Sequence, residues 1–246
     1  MAITNVNHEG FQRRLDPIVF ILYSYRLEVS YHSTLITHRV ENEVASQHLF
    51  RQQLSANHPE LARLAPAIYA WQPGRYPDVH DETGFGWTIC EFMPGVNLDA
   101  QFAEMSLPEK LAVVEQVADI LAGLQRTALP ELLAAGHLGG LTFDGSGQVV
   151  GGQTSILPPG PWENYSSALK GWQEAAGVRA HIDSLINADP VGRLVQGVDA
   201  TQRTLVHGDF TMNNMLFDTA TKKVAALLDF DFSWNTHPAH EYITGL

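Results

Sequence analysis

Two short stretches near the C-terminal end carry the side chains best suited to chemistry. His207-Gly208-Asp209-Phe210-Thr211-Met212-Asn213-Asn214 sets a carboxylate five residues before an amide, and Asp229-Phe230-Asp231 adds two acids after an apolar run. A hydroxyl that attacks a phosphate must be aligned with the leaving oxygen while the charge on the phosphates is neutralised. Asp209 suits the first task, because a carboxylate of ordinary pKa, about 4, orients a hydroxyl until bond formation acidifies it. Asn214 and Asp229 offer hard oxygen donors, the kind that hold Mg²⁺ partly through nucleotide phosphates. In an extended segment Asp231 would face away from Asp229, so it ranks second as a metal ligand.

These groups are useful only if they converge. Residues 204–206 read as a short strand delivering His207 to a loop. Residues 215–217, a turn over 218–223 and residues 224–230 read as a hairpin, which returns Asp229 to the start of that loop. Upstream, residues 17–31 are rich in β-branched and aromatic side chains and read as one or two strands. Residues 39–54 have apolar groups at helical spacing, and strand-like runs follow Pro66 and Gly86, the second ended by Pro94-Gly95. Residues 76–84 are polar and turn-rich. Ser106 with Glu109 forms a capping-box signal ahead of Leu111, Val114, Val117, Ala118, Leu121 and Leu124, predicting an amphipathic helix of about five turns. Residues 136–152 predict a loop and hairpin, residues 161–188 a helix, and Pro190 the start of another. The order predicts an α+β fold: a small β-rich lobe over residues 1–95 and a mainly helical lobe over residues 96–246.

Composition narrows the function classes. A chain of 246 residues that is 45% hydrophobic and 17% charged can bury a sizeable core. Its formal net charge of −12 argues against general nucleic-acid binding, which needs clustered Lys and Arg. That charge suits a cationic substrate, and it also suits ordinary solubility. The single cysteine, Cys90, permits no intrachain disulfide and reads as a small packing residue. The early apolar run from Ile18 to Tyr23 is too short to span a bilayer, and no small-residue cleavage site follows it, so a cytoplasmic, membrane-free protein is expected.

The spacing of His207, Asp209 and Asn214, followed by Asp229-Phe230-Asp231, resembles the aminoglycoside phosphotransferase and choline kinase family, small-molecule relatives of the protein kinases. The resemblance implies a bilobal protein-kinase-like fold, ATP and Mg²⁺ as cofactors, and a small-molecule hydroxyl as acceptor. It implies that Asp209 is the catalytic base, that His207 braces the loop, and that Asn214 and Asp229, then Asp231, bind metal. Residues 88–95 resemble the connection whose backbone meets adenine, which points to Glu91 and Met93. Residues 139–144 resemble a loop of fungal-type members.

The chain also departs from the family pattern. No lysine precedes Lys110, so Arg26 is the candidate to hold nucleotide phosphates, with Glu43 on the next helix as its partner. Either residue is alternatively an ordinary surface side chain. Gly10 is the only glycine before Gly74, so no glycine-rich phosphate loop is recognisable. The chain ends 15 residues after Asp231, where relatives are expected to continue, so both lobes are expected to be abridged. Three readings follow: an ATP-dependent phosphotransferase, a catalytically impaired nucleotide- or partner-binding module, and a metal-dependent hydrolase using His207, Asp209, Asp229 and His237. The last is disfavoured because His237, His240 and Glu241 lack a metal-ligand spacing and read better as a cap or polar patch at a helix start.

Overall fold

The computed structural model of the chain describes residues 39–55, 58–73, 87–126, 129–155, 160–175, 199 and 201–244. The expected strands of residues 17–31, Arg26, the turn-rich stretch 76–84 and the helix after Pro190 lie outside these residues. Helix α1 (Arg39–Ser55) is followed by a single turn, α2 (Pro59–Ala62), and by the antiparallel pair β1 (Ile68–Gln72) and β2 (Trp87–Cys90). The strand expected to reach Met93 ends at Cys90, and residues 91–95 run without regular pairing. Strand β3 (Val96–Asn97) then leads into α3 (Leu98–Glu104), with the Asn97 side chain capping the helix by accepting the Ala100 N–H at 3.1 Å.

Helix α4 (Leu107–Arg126) starts at the expected capping box, where Glu109 accepts both the Ser106 N–H at 3.0 Å and its hydroxyl at 2.7 Å. The buried face is rotated from the one expected. Val113, Ile120, Gly123 and Leu124 are buried, whereas Leu111 and Val114 stand exposed. Apolar residues occur on both flanks of this helix, so periodicity alone leaves two overlapping faces to choose from. After α5 (Glu131–Ala134), strands β4 (Gly140–Phe143) and β5 (Val149–Gly152) form the hairpin expected in this region, and α6 (Tyr165–Ala175) occupies part of the expected longer helix.

The C-terminal part is built from two small sheets. Strand β6 (Thr204–Val206) pairs with β9 (Trp234–Thr236), and the hairpin β7 (Met215–Asp218) and β8 (Lys223–Leu227) takes β3 as its third strand. Short 3₁₀ turns cover residues 212–214, 230–232 and 238–240, and α7 (Glu241–Thr244) follows the last. Phe210, Phe217, Leu205 and Leu227 from these elements pack with Leu49, Phe50 and Leu54 of α1 in one core.

Helix α1 is buried around much of its circumference, including the polar Asn42, Glu43, Ser46 and Gln47. Asn42 explains how this is tolerated. Its Nδ2 donates to the carbonyls of Asp231 at 2.9 Å and Ser233 at 2.7 Å, and its Oδ1 accepts the Leu141 N–H at 2.6 Å. One amide therefore joins α1 to the acid-bearing turn and to β4. At Gly140 a Cβ would run into the Gln153 carbonyl and this same amide oxygen, so the close approach needs glycine. Asn42→Ala should leave the Ser233 carbonyl and the Leu141 N–H without this partner, while the Asp231 carbonyl keeps the Ser155 hydroxyl, and cost about 3 kcal/mol, read as a lower urea midpoint at unchanged slope.

Candidate functional site

The chemistry-bearing loop leaves β6 with its backbone groups turned away from any sheet, so side chains must satisfy them. Glu241 does so for the first two residues. Its two carboxylate oxygens accept the N–H groups of His207 at 2.7 Å and Gly208 at 2.9 Å. Ser233 Oγ donates to the His207 carbonyl at 3.1 Å. Gly208 has φ of 82°, and a Cβ there would run into the Phe232 carbonyl, so the loop and the acid-bearing turn touch backbone to backbone. Sequence reading placed Glu241 only in a polar patch. Its acidic character at a helix start was visible, but its partners lie 34 and 33 residues away in sequence.

Two of the candidate side chains in the loop bond to one another. Asn214 Nδ2 donates to Asp209 Oδ2 at 2.7 Å and to the Asp209 carbonyl at 2.9 Å. The bond fixes the amide orientation and turns Asn214 Oδ1 away from Asp209 as an acceptor. The hairpin then brings in the second stretch, as predicted. Leu228 N–H donates to the Asn214 carbonyl at 2.8 Å, and His207 Nε2 meets the Leu228 carbonyl at 3.0 Å. His207 Nδ1 accepts the Asp209 N–H at 3.4 Å, which assigns the ring proton to Nε2. The imidazole is fully buried against Phe230, 4.7 Å between ring centroids, and its place is that of a brace.

The acid triplet departs from expectation in one respect. It is not extended: Asp229 takes a left-handed φ of 64° and residues 230–232 form a 3₁₀ turn. The two carboxylates therefore approach one another instead of facing apart. Asp231 is completely buried and paired with the Arg39 guanidinium, which lies over the Phe232 ring. Burial and the neighbouring Asp229 push the Asp231 carboxyl upward, against the pull of Arg39. Asp229 is the partly accessible member of the pair and Asp231 the interior one.

Asp229 also faces a cavity of about 300 Å³, shared with Glu43, Glu91, Met93, Leu216 and Leu228. Four of the residues singled out in the sequence thus line one cleft, while Asp209 and Asn214 adjoin it through Leu228. Glu43 is buried on α1 rather than part of a solvated face. Glu91 N–H donates to the Ala67 carbonyl at 2.7 Å, and its carboxylate accepts the Ala67 N–H at 3.0 Å, which straps the connection onto the start of β1. Cys90 is buried in the cleft wall, and burial followed by the nearby Glu43 and Glu91 charges raises its thiol to about 11, the inert packing residue expected. No Lys or Arg among the described residues lines the cleft.

His237 and His240 do not join this site. His237 Nδ1 caps the 3₁₀ turn by accepting the Ala239 N–H at 3.0 Å, and its ring stacks on Tyr165 at 4.8 Å. His240 is buried edge-on against Trp234 at 4.3 Å. Among the described residues no group of three His, Cys, Asp or Glu side chains is arranged to hold a metal ion. The hydrolase set of His207, Asp209, Asp229 and His237 is therefore not assembled, since His207 has both ring nitrogens engaged within the loop.

Residues 38–246 match the model of the phosphotransferase enzyme family. The chain belongs to that family. No curated protein sequence matches it. Among solved structures, a protein from Ralstonia eutropha JMP134 described as an aminoglycoside phosphotransferase is similar over 95% of this chain and 66% of its own, with 17% identity and a TM-score of 0.52. A thermostable mutant of aminoglycoside phosphotransferase APH(4)-Ia is similar over 82% of this chain and 60% of its own, with 18% identity and a TM-score of 0.47. The streptomycin–ATP complex of APH(2")-IIa covers 99% and 76%, at 13% identity and a TM-score of 0.46. The chain thus spans less than two thirds of the first two structures' length. The phosphotransferase family's kinase-like α+β fold is the fold of this chain. No helix among the described residues is long and apolar enough to cross a membrane.

Buried ionisable groups in and around the loop make stability depend on pH. Burial lowers His207 to about 4 and His240 to about 3, so both are neutral in the folded protein near neutrality. Below about pH 6.5 the unfolded chain takes up protons that these folded rings refuse, and stability falls as pH drops toward 4. Glu241 acts in the opposite sense: burial raises it to about 7, so its contribution declines as pH rises from about 4.5 to 7. His240→Phe keeps the edge-on packing and removes one titration. It should lose about 3 kcal/mol less than the wild type between pH 6.5 and 4, measured by urea unfolding at each pH.

Proposed function

We propose that the protein transfers the γ-phosphoryl group of ATP to a hydroxyl of a small, polar and preferably cationic molecule. The observation that carries this reading is the bonded pair Asp209–Asn214, tied through Leu228 to Asp229 at the edge of the cleft. In this reading residues 1–95 form the nucleotide-binding lobe and residues 96–246 the helical lobe. Adenine lies against the backbone of residues 91–93, where the Met93 N–H has no partner among the described residues. Asp209 orients the acceptor hydroxyl and takes its proton as the bond to phosphorus forms. Asn214 keeps that carboxylate from rotating, and His207 with Glu241 holds the peptide units that aim it.

Mg²⁺ fits the donor set, because Asn214 Oδ1 is turned away from Asp209 and the bond from the Leu228 N–H to the Asn214 carbonyl draws in the residue next to Asp229. Bound there, it supplies positive charge for the nucleotide phosphates. Arg26 is the proposed phosphate-binding cation and Glu43 its partner. Asp231, paired with Arg39, shapes the turn that presents Asp229. The surplus of acids in the chain and the lack of described cations in the cleft support a cationic acceptor. The same lack of cations favours a second reading, a nucleotide-binding module without transfer.

Asp209→Ala should lower turnover by at least about 100-fold with Mg-ATP binding nearly unchanged, as expected for a group acting on the acceptor. Asp229→Ala should weaken Mg-ATP binding itself. Phosphate transfer over a panel of aminoalcohols, beside thermal shift with Mg-ATP, reads both. Turnover equal in wild type and Asp209→Ala excludes the catalytic assignment. A thermal shift without turnover on any acceptor selects the second reading.

A further inference from the structure

A larger cavity, of about 660 Å³, opens beside the cleft along a neighbouring face of α1. Tyr69 and Trp71 of β1 and Phe143 of β4 supply an aromatic wall, and His48, Arg51 and Gln52 of α1 supply polar groups. Trp71 and Phe143 stack at 5.6 Å with 30° between their planes, and His48 meets the Phe143 edge at 6.1 Å. A volume of this size, with aromatic lining and a few convergent polar groups, is that of a small-molecule site.

The permanently charged side chain in the described lining of the cavity is Arg51. Among the described residues its lining contains Arg51 and His48 and no acid, within a chain of net charge −12. Arg51 Nη1 donates to the Ala65 carbonyl and lies 3.9 Å from the Glu91 carboxylate. That carboxylate already accepts the Ala67 N–H, and the remaining face of the guanidinium has no bonded partner among the described residues. His48 and Gln52 are exposed and make no hydrogen bonds there. A planar guanidinium with donors to spare selects a carboxylate or similar anion, and the stacked rings select a flat apolar body.

The two cavities share a wall. Gln47 and Pro66 line both, and Gln47 Nε2 donates to the Pro66 carbonyl at 2.6 Å. We propose that the cavity outside α1 is a second ligand site, for a small planar aromatic carboxylate held by Arg51 and stacked along Trp71 and Phe143. The site is separate from the phosphotransfer cleft and occupied independently of it.

Naphthalene-2-carboxylate, with naphthalene-2-carboxamide as its neutral counterpart, tests this by isothermal titration into the full chain. The carboxylate should bind in the micromolar range and the carboxamide about tenfold more weakly, the difference expected for one charge-assisted pair. Arg51→Met should remove that preference. Because Arg51 also holds the Ala65 carbonyl, Gln52→Glu provides a second variant at an exposed position. It should weaken the carboxylate about tenfold and leave the carboxamide unchanged. Saturating Mg-ATP should not displace the carboxylate. No binding at millimolar concentration, equal affinity for acid and amide, indifference to Gln52→Glu, or displacement by Mg-ATP would each overturn the proposal.

Discussion

The side-chain amide of Asn42 is the joint on which the arrangement depends. Asparagine is a poor residue for a helix interior, and burying one without partners is costly. Here all of its bonding capacity but one lone pair is directed at backbone groups of the acid-bearing turn and of β4. Helix α1 therefore cannot rotate or slide without breaking bonds in two other elements. Arg39 and Glu43, on the same helix, inherit their positions beside Asp231 and the cleft from this one anchor. The low hydrophobicity of α1 is the counterpart of its central place: it is held by satisfied polar groups as well as by Leu49, Phe50 and Leu54.

The same logic governs the loop. Residues 207–209 lie between sheets, where no neighbouring strand can complete their backbone bonding. Glu241, Ser233 and the His207 ring take over that role at 2.7 to 3.4 Å. Such side-chain scaffolding has an electrostatic consequence. Groups placed for their geometry are held in a medium that disfavours their charged forms, so His207 is driven neutral and Glu241 upward together. Asp209 and Asp229 are each only partly buried.

What was legible in the sequence was local. The Ser106–Glu109 box, the hairpins at residues 140–152 and 215–227, and the spacing of Asp209 to Asn214 depend on neighbours a few residues apart. Convergence of Asp229 on the loop was also readable, because a tight hairpin returns a chain to its start. Glu241 as a strap and Asn42 as a joint were not readable, since their partners lie 33 to 34 and 99 to 191 residues away. The reading of Asp231 failed for a different reason: a left-handed residue at 229 replaced the assumed extended backbone, and alternation lost its meaning. On α4 the pattern held but its phase did not, because Leu111 and Val114 offered a second apolar flank.

The backbone of Leu228 has its N–H on the Asn214 carbonyl and its own carbonyl on the His207 ring. The two stretches that carry Asp209 and Asp229 are therefore stitched through two consecutive peptide planes that meet at the Leu228 Cα. They form one rigid jaw. A guest entering the cleft meets fixed geometry on that side, and any accommodation falls to the opposite side, where a side-chain amide rather than a sheet closes the gap at Pro66. Fidelity of alignment and tolerance of shape are thereby assigned to different walls of the same small space.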